Sequence, residues 1–196
     1  MRLRLWLVWM ALLLCSHGAW AAVNLAGVRY EDSIDFHGHK LVLNGAGIRY
    51  KFVVKVYAAA LYVTRPGHTP EEVYSAPGPK HVVLTMLRDV DANELAKLFI
   101  RGIEDNAPKA SFTRWLPGLL KMGEVFGSLR EFHAGDVIEV DWVPGTGTVF
   151  LVRGKVLSIP SEEPDFYSAG LSVWLGKNPA DYRLKDALLG IQQVKQ

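Results

Sequence analysis

The polar residues of this chain best placed to do chemistry are those inserted among apolar neighbours. Arg49 precedes a segment, residues 51–63, whose even positions are all apolar or small apart from the Tyr62 hydroxyl. Lys55 and Tyr57 share the other face of that segment, and Asn106 ends an apolar helical stripe of Leu95, Leu98, Phe99, Gly102 and Ile103. A guanidinium in such surroundings is costly unless paired, and its planar fork suits a carboxylate or enolate oxygen. Plainer roles fit the same spacing: Arg49 paired with a core acid or lying at a rim, Tyr57 filling a strand, Asn106 capping a helix. Other groupings offer less. His37-Gly38-His39 has no third ligand in view, so a hydrated turn is expected there and not a metal site. His68, His81 and His133 stand alone beside turns or strand ends, and Glu162 and Glu163 precede Pro164, where solvation and a helix end account for both. The chain has no G-x-S-x-G, no H-E-x-x-H and no glycine-rich phosphate loop. Gly45-Ala46-Gly47 lacks the third glycine and the following helix of a dinucleotide site. No catalytic residue and no metal ligand is assigned.

Positioning these side chains falls to a chain read as α+β. Residues 23–63 have a β-like pattern, with a turn over residues 35–39, a break over residues 44–47 and a long strand over residues 51–63. Thr69-Pro70-Glu71-Glu72 opens a helix with a cap, a first-turn proline and acids at its positive end. A short strand follows over residues 82–87. Asp91-Ala92-Asn93-Glu94 then opens a helix running to Asn106, which Pro108 stops. Another amphipathic helix is expected over residues 117–130. Strands over residues 136–143, 148–153 and 155–159 form an antiparallel meander, and helices over 165–175 and 184–189 close the chain. Strands and helices group instead of alternating, which favours an antiparallel sheet over a doubly wound parallel one.

At 196 residues, 49% hydrophobic and 21% charged, the chain suits one domain and is too apolar for disorder. Arg2 and Arg4 precede an apolar run from Leu5 to Cys15, and Ala19-Trp20-Ala21 fits a small-x-small cleavage site. The run is about half the ~20 residues a spanning helix needs. Residues 1–21 are therefore expected to be a signal peptide and residues 22–196 the folded domain, with an uncleaved anchor as the alternative. Cleavage removes two basic residues and no acidic one, leaving equal numbers of each and no electrostatic footprint for nucleic acid. The one cysteine leaves with that segment, so the mature chain has no disulfide, thiol nucleophile or cysteine ligand.

Asn44-Gly45-Ala46-Gly47-Ile48-Arg49 and the Lys55-Val56-Tyr57-Ala58-Ala59-Ala60-Leu61-Tyr62-Val63 that follows resemble the chalcone isomerase superfamily. Residues 99–106 and 169–176 continue the likeness in the same order, which is greatest to the bacterial exported chalcone-isomerase-like branch. The resemblance implies an open-faced β-sandwich, with a curved antiparallel sheet packed by helices and a ligand cleft between them. It also implies two kinds of relative: plant enzymes that close a chalcone to a flavanone, and non-catalytic fatty-acid-binding proteins. In both, a strand arginine meets the anionic part of the ligand. Arg49 is similar to that arginine, and Asn106 to the helix asparagine of the isomerases. Phe99 stands where the isomerases have a tyrosine, Tyr57 where they have a strand threonine, and Val173 where they have a late-helix threonine. Missing hydroxyl donors weaken a site that must stabilise developing enolate charge.

The expected protein is thus a periplasmic one that binds a small apolar anion, a fatty acid or aromatic acid, with little or no isomerase activity. Arg49 would pair with the carboxylate, Tyr57 and Asn106 would tune the polar end, and Phe99, Ala59 and Val173 would line the apolar end. No cofactor, metal ion, nucleic acid or stable membrane span is expected. The alternatives are a chalcone–flavanone-type intramolecular lyase that uses Arg49 for enolate charge, and a structural or interaction protein of the cell envelope.

Overall fold

Along β5 (Val54–Val63), Tyr57, Ala59 and Leu61 alternate with Ala58, Ala60 and Tyr62, and both sets are buried. A strand buried on two sides must run through the middle of a covered sheet. The computed structural model, which describes residues 22–157 and 164–191, shows that sheet. The expected signal peptide and the pair Glu162 and Glu163 lie outside the described residues. Seven strands hydrogen-bond in the order β11-β10-β9-β6-β5-β4-β3, every neighbouring pair antiparallel. They are β3 (Ser33–Phe36), β4 (His39–Lys51), β5, β6 (Lys80–Met86), β9 (Val137–Val143), β10 (Gly147–Val152) and β11 (Lys155–Leu157). One face packs on α2 (Ala92–Glu104), α3 (Lys109–Ser128), α4 (Pro164–Leu175) and α5 (Tyr182–Leu188), and holds the larger core with Leu61, Met86, Leu119 and Leu171. The short helix α1 (Pro70–Ser75) adds Val73 to that core. Against the other face lies a ribbon of β1 (Val23–Leu25) and β2 (Val28–Tyr30), where Tyr30 and Leu41 cluster with Ala58, Ala60 and Tyr62. A second ribbon pairs β7 (Val90–Asp91) with β8 (Glu131–Phe132) at the ends of the α2–α3 excursion. This is the expected α+β open-faced sandwich on a curved antiparallel sheet.

Several boundaries differ from the sequence reading, each for a physical reason. Residues 51–63 are not one strand: Lys51 ends β4, Phe52 and Val53 turn, and β5 begins at Val54. A register shift at Val56 then turns both Val56 and Tyr57 toward the helix-side core, so Lys55 is exposed and no longer shares a buried face with Tyr57. Nor do residues 44–47 break the chain. They continue β4, with Asn44 as the extra residue of a bulge between Leu43 and Gly45. The helix expected over residues 117–130 spans Lys109–Ser128 with Pro117 inside it, because Trp115, Leu119, Met122 and Phe126 bury one stripe along its length. His81, which looked isolated, faces Asp141 across the β6–β9 pair, its Nδ1 2.6 Å from a carboxylate oxygen. Burial pushes the Asp141 carboxyl up, and the hydrogen bond to His81 opposes that shift. The Thr69 cap forms as expected, with its hydroxyl on the Glu72 amide in a reciprocal capping box.

Two tyrosines tie this packing to pH. Tyr62 donates its hydroxyl to the Glu31 carbonyl at 2.9 Å, and burial, aided by Tyr30, Glu31 and Asp32, pushes its pKa up to about 12. Burial and Glu71 push Tyr74 up to about 12 as well. A raised tyrosine pKa means that the unfolded chain ionises first. The stability these groups contribute is therefore complete below the ordinary value near 10 and is lost as pH rises toward 12. Thermal melts should fall steeply across that interval in step with tyrosinate absorbance, and Tyr62→Phe should flatten the slope. Melts insensitive to pH there would mean that these hydroxyls are solvated.

Candidate functional site

Two strand positions and two helices build the site. Arg49 and Tyr57 are register partners on β4 and β5, and both face the helices. The register shift at Val56 aims Tyr57 inward, and burial pushes its hydroxyl pKa up despite the opposing pull of Arg49 and Trp174. On the helix side, α2 and α4 pack closely because Gly102 has no side chain; a Cβ there would lie 3.0 Å from a Val173 methyl. Phe99, one turn earlier on α2, then reaches Phe150 and Trp174, with ring centroids 5.9 and 5.8 Å away.

Between these elements lies a cavity of about 200 Å³. That exceeds the roughly 150 Å³ apolar void that accommodates benzene. Its floor is β-sheet, with Leu84, Met86, Ile138, Val140 and Phe150, and its roof is helical, with Phe99, Met122 and Val173. Among the described residues its charged lining is Arg49, which is half-buried, and Arg101 and Asp105, which are exposed. The Arg49 guanidinium carbon sits 5.7 Å from the Tyr57 ring centroid, in cation–π range. Its Nε is buried and has no hydrogen-bond partner, and Arg49 forms no ion pair among the described residues. The Tyr57 hydroxyl accepts from the Trp174 indole at 2.9 Å, which leaves its own proton for another oxygen. Chemically this is a greasy chamber with a cation and one neutral phenol at its polar end. It can desolvate an apolar body and meet an anionic head.

Four of the six residues singled out from the sequence therefore line one cavity: Arg49, Tyr57, Phe99 and Val173. Ala59 shares the Tyr57 face but is fully buried in the core and does not line the cavity; the longer Leu84, its register partner on β6, does so instead. Asn106 lies beyond the C-terminus of α2 and faces elsewhere. Its amide donates to the Gly102 carbonyl at 2.8 Å and the Asn178 carbonyl at 2.9 Å, while its oxygen accepts from the Asn178 amide at 2.8 Å. With its polar atoms so engaged, Asn106 caps the end of α2 and ties it to the loop between α4 and α5, a helix-end role that spacing alone had left open. Trp174 is the residue sequence reasoning missed, although it adjoins Val173. Its indole N–H is what orients Tyr57, and only the folded pairing of α4 with β5 reveals it. Among the described residues no helix is long and apolar enough to cross a membrane.

The family model described as chalcone isomerase-like matches residues 22–190. No curated protein matches the sequence. Among solved structures, the crystal structure of an Arabidopsis thaliana fatty-acid binding protein is similar with a TM-score of 0.69 at 14% identity, covering 86% of this chain and 96% of that one. At that identity the likeness is one of fold.

Proposed function

Because this chain belongs to the chalcone isomerase-like family, we propose that it is a carrier or sensor of a small apolar anion, most simply a fatty acid. The observation that carries the reading is a buried, unpartnered Arg49 Nε at the edge of an apolar cavity. The carboxylate would sit on the Arg49 fork and accept the free proton of Tyr57, while the hydrocarbon tail would replace water against Phe99, Val173 and the sheet floor. The fold it shares with a fatty-acid binding protein supports that choice of ligand. Among the described residues, no side-chain hydroxyl but that of Tyr57 lines the cavity. Enolate stabilisation would then rest on Arg49 and a single phenol, which favours binding over turnover. Export to the periplasm, through cleavage after Ala21, is part of the same proposal.

Gentle purification followed by native mass spectrometry should reveal a co-purified acid, and Arg49→Ala should empty the cavity. A variant that retains the same acid in the same amount would defeat the assignment. Loss of chalcone absorbance above the spontaneous rate, abolished in Arg49→Ala, would instead establish the isomerase.

A further inference from the structure

The turn between β4 and β5 runs against two rules at once. Lys51 pairs with Val54 across it, so the loop has two residues, and the first of them, Phe52, has a φ of 59°. That position in a tight hairpin favours glycine, asparagine or aspartate, since a bulky side chain there strains the backbone. The same Phe52 is 94% exposed and Val53 beside it 89%. Neither backbone conformation nor burial within this fold explains an aromatic residue followed by two valines at a hairpin tip. Val54, 41% exposed, completes the apolar knob, and Lys51 and Lys55 collar it on both strands.

We propose that this tip inserts into the surface of a lipid bilayer that carries anionic headgroups. An apolar knob ringed by ammonium groups is complementary to such a surface: the side chains enter the acyl boundary and the lysines meet phosphates. Lys51 is paired with Glu94 at 2.9 Å, but both side chains are exposed, and a pair of that kind exchanges readily for another anion. A protein partner would have to supply a fitted socket for so small a knob, whereas a fluid acyl layer needs none. The position matters too. Arg49 precedes Phe52 by three residues on β4, roughly 10 Å at the rise of a strand, and Leu98, 36% exposed on α2, lines the same cavity. A docked tip would thus hold the cavity edge against the membrane face. The docking rests on the tip alone and does not require the ligand reading.

The test uses the chain from Ala22 onward, where the chalcone isomerase-like family match begins. It should sediment with vesicles containing phosphatidylglycerol and much less with pure phosphatidylcholine. Phe52→Ser with Val53→Ser should lower the partition coefficient at least about tenfold. Lys51→Gln with Lys55→Gln should lower it by about fivefold per lysine on the anionic vesicles only. Each substitution is at the surface, so thermal melts should confirm a folded protein. Wild-type protein left in the supernatant, a serine variant that binds equally well, or tip-dependent self-association without vesicle binding would each overturn the proposal. Retention of a co-purified acid by the tip variants, with vesicle binding by Arg49→Ala, would show the two sites to be independent.

Discussion

Gly45→Val should cost this protein about 4 kcal/mol or more, enough to remove much of the margin of a typical domain. The reason lies in how α5 seats on the sheet. A Cβ at position 45 would collide with the backbone carbonyl oxygens of Ala187 and Leu188. Backbone cannot swing aside as a side-chain tip can, so the helix end must lift. Lifting it also takes the Leu188 carbonyl out of the buried Asn44 network. The Asn44 amide donates to the Leu188 carbonyl at 2.7 Å and the Gly67 carbonyl at 2.9 Å, and its oxygen accepts from the Gly67 amide at 2.7 Å. The Asn44 amide and the Leu188 carbonyl would each lose a partner at about 1–3 kcal/mol, while the two bonds to Gly67 do not involve α5. Gly47 makes the informative comparison. A Cβ there would lie 2.6 Å from the Ala187 Cβ, which is fixed to the helix backbone, and 3.0 Å from a Leu184 methyl, which can turn aside. Gly47→Ala should therefore still shift α5, at about 3 kcal/mol, yet cost less than Gly45→Val because one fixed methyl and no carbonyl oxygen opposes it. Chemical denaturation of both variants checks the order. If Gly45→Val melts with the wild type, α5 does not approach β4 this closely.

That same stretch shows where sequence reasoning stops. Asn44, Gly45 and Gly47 are local turn signals, and a local reading makes them a break. Their role is long-range: one amide and two missing side chains receive a helix more than 130 residues away, and no nearby residue announces it. The lone proline of α3 is the converse case, a local stop signal overridden by a buried stripe. What was legible is what periodicity and local caps encode: the alternation of β5, the helical stripe of α2 and the Thr69 cap. The α2 stripe put Phe99 on an inward face, the family resemblance pointed to Arg49 and Val173, and the register shift at Val56 turned Tyr57 in to meet them. Ala59 on β5 and Asn106 just past the end of α2 both lie off the cavity. Sequence spacing identifies the face a residue occupies, but not how far along an element a void extends. Phe52 fails differently: it read as a strand residue because it is apolar, and the structure makes it a turn.

Arg49→Met should move stability and binding in opposite directions, and that divergence separates a functional cation from a structural one. In the empty protein the half-buried guanidinium makes no ion pair among the described residues and buries an Nε that has no acceptor. A methionine of similar length removes that unmet donor and the desolvated charge, while losing a cation–π contact with Tyr57 of about 0.5–1 kcal/mol. The balance should raise the stability of delipidated protein by about 1 kcal/mol, or about 2–4 °C in Tm for a domain of this size. Affinity for a fatty acid should meanwhile drop roughly 10- to 100-fold, the equivalent of a charge-assisted hydrogen bond. Arg49→Lys restores charge without the planar fork and should recover only part of the binding. Calorimetric melts of stripped protein, paired with titration of a fluorescent fatty acid, read both quantities on the same samples. A methionine variant that is less stable and binds equally well would make Arg49 a brace of the β4–β5 hairpin, and the cavity would then need another anchor for its guest.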